Sequence, residues 1–224
     1  MEMSRRAVLG SLVAGAAGST LLSVAGAAEQ KGTAVPALRN EDFYGADGKF
    51  DAEKAKQAYY DMMKRFNYPV YERLHTADFW ALDFGLGKFT EVGMAGIFWV
   101  NNQKDGYFGH EIYLLPGQMI SEHKHVKTEE AGPKLEAWQP RYGWIYIYSE
   151  GTPTPGVEAH IPASHQECAV ARTEQKLMPG EVGMLGGAEQ WHWMLAGPEG
   201  AIVTEYATYH DGKGLRFSHP QVAF

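Results

Sequence analysis

From residue 77 onward the chain repeats one texture: short runs of β-branched and aromatic residues, cut by Gly, Pro and Asn. MAGIFWVNN (94–102), EIYLLPG (111–117), WIYIYSEG (144–151), ECAVARTE (167–174), EVGMLGG (181–187), QWHWML (190–195) and AIVTEYATY (201–209) each have the length and composition of a strand. In YGWIYIYSEG, Trp144, Tyr146 and Tyr148 alternate with Ile145 and Ile147, the period of a strand with two different faces. Seven or more short strands separated by turn residues predict an antiparallel sandwich or small barrel. No repeat or linker interrupts the region.

One helix precedes the strands. Asp51 is placed to cap it, and Ala55, Ala58, Tyr59, Met62, Met63 and Phe66 follow helical spacing, so the apolar stripe reads as core packing. Pro69 is expected to end the helix. Upstream, residues 28–50 are polar and broken by Gly and Pro, an extended arm or linker. Residues 1–27 open with Ser4-Arg5-Arg6 and continue as an uncharged run of Gly, Ala and Ser, less greasy than a membrane span. They read as a twin-arginine export signal, with cleavage after Ala27. The mature chain is then expected to be periplasmic or secreted, and not embedded in a membrane. It comprises the arm and one domain over 51–224, the helix plus a barrel.

Charge and cysteine use narrow the function classes. The formal net charge is −7, and no Lys/Arg cluster offers a nucleic-acid face. A single cysteine, Cys168, rules out an internal disulfide, and its surroundings suggest a small strand residue rather than a nucleophile.

His123-Lys124-His125 places two imidazoles on one face of a strand, where they can share a first-row metal ion. Gly117 stands ahead of them at the spacing of the first cupin motif, which continues with a carboxylate and then a glycine seven residues past it. Glu136 has that glycine at Gly143; Glu129 and Glu130 do not, and they sit in the loop-like VKTEEAGPK. Glu136 is therefore the expected third ligand and Glu130 the alternative. A fourth ligand is expected from LMPGEVGMLGGAEQWHWML, where His192 follows the Gly186-Gly187 turn. Three histidines and a carboxylate suit Mn, Fe, Co, Ni or Zn and do not choose among them. His160, His165, His75 and His219 lie near turn residues and read as ordinary; His110, just ahead of a strand, is left open.

FWALDFGLGKFTEVGMAGIFWVNN, EIYLLPGQMISEHKH, GPKLEAWQPRYGWIYIYSEG and TEYATYHDGKGLRF resemble the D-lyxose ketol-isomerase family of metal-dependent cupins, over about residues 70–217. The resemblance implies a jelly-roll-like cupin barrel and a divalent metal, manganese first and Zn, Fe, Co or Ni otherwise, held by His123, His125, Glu136 and His192. It also implies catalytic roles for Lys134, matching the family's Lys-x-Glu, and for Glu205 on a late strand. The Arg-Phe that follows in the family falls on Arg216-Phe217, which marks Arg216 for substrate binding. Trp138 is the aromatic expected against a sugar, with Trp144, Tyr146 and Trp191 as further candidate walls. The chain departs from the family at Gly186-Gly187, where a proline is usual, and at His210-Asp211, where Asn-Asp is usual.

The expected function is aldose–ketose isomerisation of a small sugar by proton transfer through an enediolate, in a homodimer. Two other readings stand beside it: a periplasmic cupin that binds a sugar or metal without catalysis, and an iron-dependent cupin dioxygenase.

Overall fold

A computed structural model describes residues 37–223; the leader read over residues 1–27 lies outside this range. The helix α1 spans Ala52–Arg65, and the Asp51 side chain accepts from the Lys54 backbone N–H as its N-cap. Ala55, Tyr59, Met62 and Met63 are buried, as their spacing predicts. The helix ends earlier than Pro69 requires. Asn67 takes a left-handed φ of 51°, the Asn67 N–H bonds to the Lys64 carbonyl, and the Tyr68 N–H bonds to the Met63 carbonyl. That paired closure is a Schellman turn, which Asn tolerates better than other residues with a Cβ. From Asn40 the segment read as an arm is packed on the domain. Phe43 is buried against Phe89, and the Tyr44 hydroxyl donates to Asp83.

The strands are β1 (Phe79–Leu82), β2 (Met94–Asn102), β3 (Tyr107–Leu114), β4 (Met119–His125), β5 (Glu136–Ser149), β6 (Thr173–Leu177), β7 (Gly183–Met184), β8 (His192–Thr208) and β9 (Leu215–Phe217). All ladders between them are antiparallel, in the order β1-β2-β3-β8-β4-β9, with β5 pairing β6, β7 and β8. Among the described residues the fold is a curled antiparallel sheet of the cupin type with one α-helix.

β8 organises the curl. QWHWML and AIVTEYATY, expected as separate strands, are two halves of this single strand. Its first half pairs with β4 and its second with β3, while β5 runs along the other side of both. A strand that changes neighbours midway bends the sheet toward closure. The bend falls at Gly143 and Gly200, both with positive φ; a Cβ on Gly143 would meet the Gly200 carbonyl oxygen at 2.0 Å. ECAVARTE is also corrected. Residues 163–168 form turns and pairing starts only at Thr173, so Cys168 is a turn residue.

Alternation along β2 and β3 separates two cores. Ala95, Ile97 and Tyr113 face α1 and pack with Tyr59, Met62 and Met63, whereas Met94 and Ile112 face the barrel interior. Each fully buried large apolar side chain contributes about 1.5–3 kcal/mol, so this helix–sheet layer fixes the sheet's outer face and leaves its inner face to enclose a cavity. Among the described residues, no helix is long and apolar enough to cross a membrane.

Candidate metal centre and cavity

His123 and His125 project into the barrel from the end of β4, Glu136 from the first position of β5 and His192 from the first position of β8. Their ligand atoms lie within 4.8 Å of one another. Ligands about 2.0–2.2 Å from one ion span at most about 4.4 Å, so small ring rotations suffice for a single ion to reach all four.

Backbone carbonyls preset the two outer imidazoles. His123 Nδ1 lies 2.9 Å from the Ser121 oxygen and His192 Nδ1 lies 2.9 Å from the Gln190 oxygen. A carbonyl only accepts, so both rings carry a proton on Nδ1 and aim Nε2 inward, the nitrogen left to serve as metal ligand. Inside, His125 Nε2, His192 Nε2 and Glu136 Oε2 are buried without a well-aligned hydrogen bond, although His192 Nε2 stands 2.9 Å from Glu136 Oε2 and His125 Nε2 3.5 Å from Glu136 Oε1. Buried polar atoms are rarely left so. A cluster of them converging on one point, all of ligand type, fits a divalent cation.

Burial and the neighbouring His192 and His125 charges hold His123 neutral, far below its ordinary range, and burial also depresses His125. For His192 burial acts downward but is outweighed by Glu136, whose Oε2 stands 2.9 Å away. For Glu136 burial acts upward and is outweighed by Lys134 and the histidines, so the carboxylate stays ionised.

Lys134 enters from the loop before β5. Its ammonium donates to Glu136 Oε1 at 2.8 Å and to Glu205 Oε1, and sits 4.5 Å from the Phe108 ring centroid. Glu205 projects inward from β8, and its other oxygen, Oε2, lies 2.9 Å from His110 Nδ1. Burial opposes charge on both members of the Lys134–Glu205 pair, yet each other's field and the flanking carboxylate or imidazole keep Lys134 protonated and Glu205 ionised. His210, from the loop after β8, packs on Phe108 and on His125, and burial together with Lys134 pushes its pKa down to about 3.

These groups and Trp138 line one cavity of about 320 Å³. Glu130 is outside it, exposed and paired with Lys213 Nζ at 2.7 Å, so the cluster uses Glu136 and not the loop carboxylate. Arg216 is corrected. Leu215 and Phe217 of β9 face the cavity, so Arg216 between them faces out, bonding to the Lys213 and Leu215 carbonyls. Trp144, Tyr146 and Trp191 are likewise absent from the cavity wall. They cover the Lys176 ammonium, His160 and the Lys124 ammonium respectively. Beside Trp138, the aromatic walls are Trp80, Phe84, Phe98, Phe108, Trp193 and Phe217. His110 and His210 are the site residues that sequence reasoning did not assign; alternation would have put His110 on the face of Ile112, but nothing local says which face is inside.

No family model matches the chain. Among curated proteins it is 30% identical to the D-lyxose/D-mannose isomerase of Thermosediminibacter oceani over 178 residues, covering 78% of this chain and 94% of that one. It is 34% identical to the D-lyxose ketol-isomerase of a Thermofilum species over 140 residues, 62% of this chain and 76% of the relative. Among solved structures, the L-ribose isomerase of Cellulomonas parahominis with L-ribose superposes with a TM-score of 0.59 at 14% identity, over 75% of this chain and 90% of that one. The Acinetobacter sp. DL28 L-ribose isomerase with L-ribose gives 0.60 at 13% identity, over 76% and 92%. At these identities the structural matches speak to the fold.

Proposed function

This chain belongs to the D-lyxose ketol-isomerase family, and on that footing we propose that it is a metal-dependent aldose–ketose isomerase acting on a small open-chain sugar. The observation that carries the reading is Lys134, buried between Glu136 and Glu205 beside the three histidines. A metal-binding or sugar-binding cupin has no need of a buried ammonium–carboxylate pair next to the ligands, and neither does an iron dioxygenase.

His123, His125, Glu136 and His192 would hold the ion; we take manganese, which the family resemblance implies, from the first-row metals this donor set accepts. A divalent cation held there would supply Lewis-acid chemistry, stabilising negative charge that develops on the sugar's oxygens. The chain's own groups move the protons. Glu205, ionised, takes the proton from C2 of the aldose while Lys134 donates one to the C1 carbonyl oxygen, giving the enediol. Glu205 then returns its proton to C1, Lys134 recovers one from the C2 hydroxyl, and C2 becomes the ketose carbonyl. His110 holds the second Glu205 oxygen throughout. Trp138 offers a face to the sugar from the neighbouring position on β5.

The test is conversion of aldoses by metal-loaded protein, with Glu205→Gln and Lys134→Met as controls. Positioned acid–base groups contribute typically about 10²–10⁴-fold, so each variant should keep its metal and lose turnover by that order. Unchanged turnover in both variants overturns the roles assigned here.

We also place the mature chain outside the cytoplasm, exported through the twin-arginine leader, and as a homodimer. Exposed Tyr206 and Met184, both register neighbours of Ala137 on the outer face of the sheet, favour a second copy packing there. The mass of the purified protein in solution tests it.

A further inference from the structure

The cavity is sorted into tiers by strand register, and the sorting bears on which sugars fit. On its inner face one cross-strand row runs Phe98, His110, Glu205, Trp138. Lys134 and Glu136 close on the same level through Glu205. One pleat repeat along the strands, about 7 Å away, the same face presents Trp80, Gly96 and Ile112, and the next step presents Leu82 opposite Met94. The other wall changes at the same step. His123 is paired with His192, but Ile120 is paired with Met194, and Ile147 lies opposite Met194 on the far side.

The cavity continues past the polar level: Leu82, Met94, Ile112, Ile120, Ile147 and Met194 all line it. The side chains of this tier carry no oxygen or nitrogen apart from the Trp80 indole N–H. A sugar with C1 and C2 at Lys134 and Glu205 has its carbonyl and first hydroxyls on the polar level. A six-carbon chain is long enough for its far end to leave that level. There a hydroxyl loses its water and gains no partner, whereas a methyl group gains apolar burial.

We propose that the site selects 6-deoxyaldoses, whose chain ends in a methyl group, over the parent sugars that carry a hydroxyl there. The proposal rests on the isomerase reading above and specifies its substrate class. The apolar tier would then be a specificity pocket rather than inert core, and Met94 one of its determinants.

The experiment compares kcat/KM of the metal-loaded mature protein for matched pairs of one configuration: L-fucose against L-galactose and L-rhamnose against L-mannose. A hydrophobic pocket discriminates against an added hydroxyl by up to ~10², so a preference of about 10–10²-fold for the deoxy member is expected. A parent sugar turned over as well as its deoxy partner, or better, overturns the proposal and leaves the isomerase standing. Conversion of an aldopentose such as D-lyxose with none of these hexoses converted overturns the proposal and leaves the isomerase standing; failure with the aldopentose as well removes both. Binding gives a readout independent of turnover: by calorimetry a 6-deoxyhexitol should bind about tenfold tighter than the parent hexitol, since neither can isomerise. Met94→Gln, close to isosteric, should narrow both preferences; ratios unchanged in that variant would take the discrimination away from this tier and overturn the assignment.

Discussion

His110 Nδ1 stands 2.9 Å from Glu205 Oε2, and the same two residues are direct register partners across the β3–β8 ladder. Backbone pairing and side-chain contact thus coincide, and the carboxylate is held from one side by an imidazole and from the other by Lys134. The imidazole is itself seated in a slot. A Cβ on Gly96 would come within 2.3 Å of His110 Nε2 and 2.7 Å of the Trp80 ring.

Gly96→Ala should therefore displace His110 and loosen Glu205 without touching a metal ligand. Misplacement of a reacting group by about 1 Å can cost about 10²-fold, so kcat should fall toward that order while KM and bound metal stay close to wild type. His110→Gln, which is smaller than the ring and loses the imidazole's hold on Glu205, should lower kcat in the same direction. Steady-state kinetics and metal analysis of both variants check this; a wild-type kcat in either would show that Glu205 does not depend on His110.

The choice of carboxylate is tested by metal content. Glu136→Gln removes the anion that faces His125 and His192, and should abolish stoichiometric metal in the purified protein. Glu130→Gln removes only an exposed, solvent-screened pair with Lys213, and should leave metal and melting temperature unchanged. Metal loss in Glu130→Gln with retention in Glu136→Gln would reverse the assignment.

A separate prediction concerns His165, a fully buried residue of the loop between β5 and β6, with Nε2 and Nδ1 each 2.9 Å from a serine hydroxyl, Ser121 and Ser164. Burial, the His219 ring and Lys88 push its pKa from 6.5 down to about 4, against an upward pull from Glu91. The unfolded chain therefore binds a proton that the folded chain refuses between these values. Stability from this residue is complete above about pH 6.5 and declines as pH falls toward about 4. Urea midpoints of metal-free protein should drop more steeply over that window in wild type than in His165→Gln. Equal slopes would assign the acid sensitivity to other groups.

The export proposal rests on Arg5 and Arg6. Replacing both with Lys keeps the charge and should retain the protein in the cytoplasm as an uncleaved precursor, which fractionation and N-terminal sequencing would detect. Normal export of the double variant would end the twin-arginine reading.

What the sequence by itself determined is what neighbours along the chain can express. Alternation marked the strands at 94–102 and 144–149, helical spacing marked the face of α1, Asp51 its start, and the short separation of His123 from His125 put both rings on one face. The spacing from Glu136 to Gly143 also separated that acid from Glu130, because Gly143 is where β5 must bend against Gly200. Other features depended on which strand lies beside which. Local pattern cannot show that QWHWML and AIVTEYATY form one strand with two successive neighbours, since the join is made by long-range pairing to β4 and β3. Nor can it show that Arg216 faces away while Leu215 and Phe217 face in, because alternation gives two faces and only closure of the barrel names the inner one. Lys134 and Glu205 are 71 residues apart and His110 and Glu205 are 95 apart; ladder register brings His110 to Glu205, and the β5–β8 pairing brings the loop that carries Lys134 to it. A one-residue slip of β8 would turn Glu205 to the outside and bring Tyr206 in, so the tertiary pairing, not the residue types, decided that these charges share a cavity.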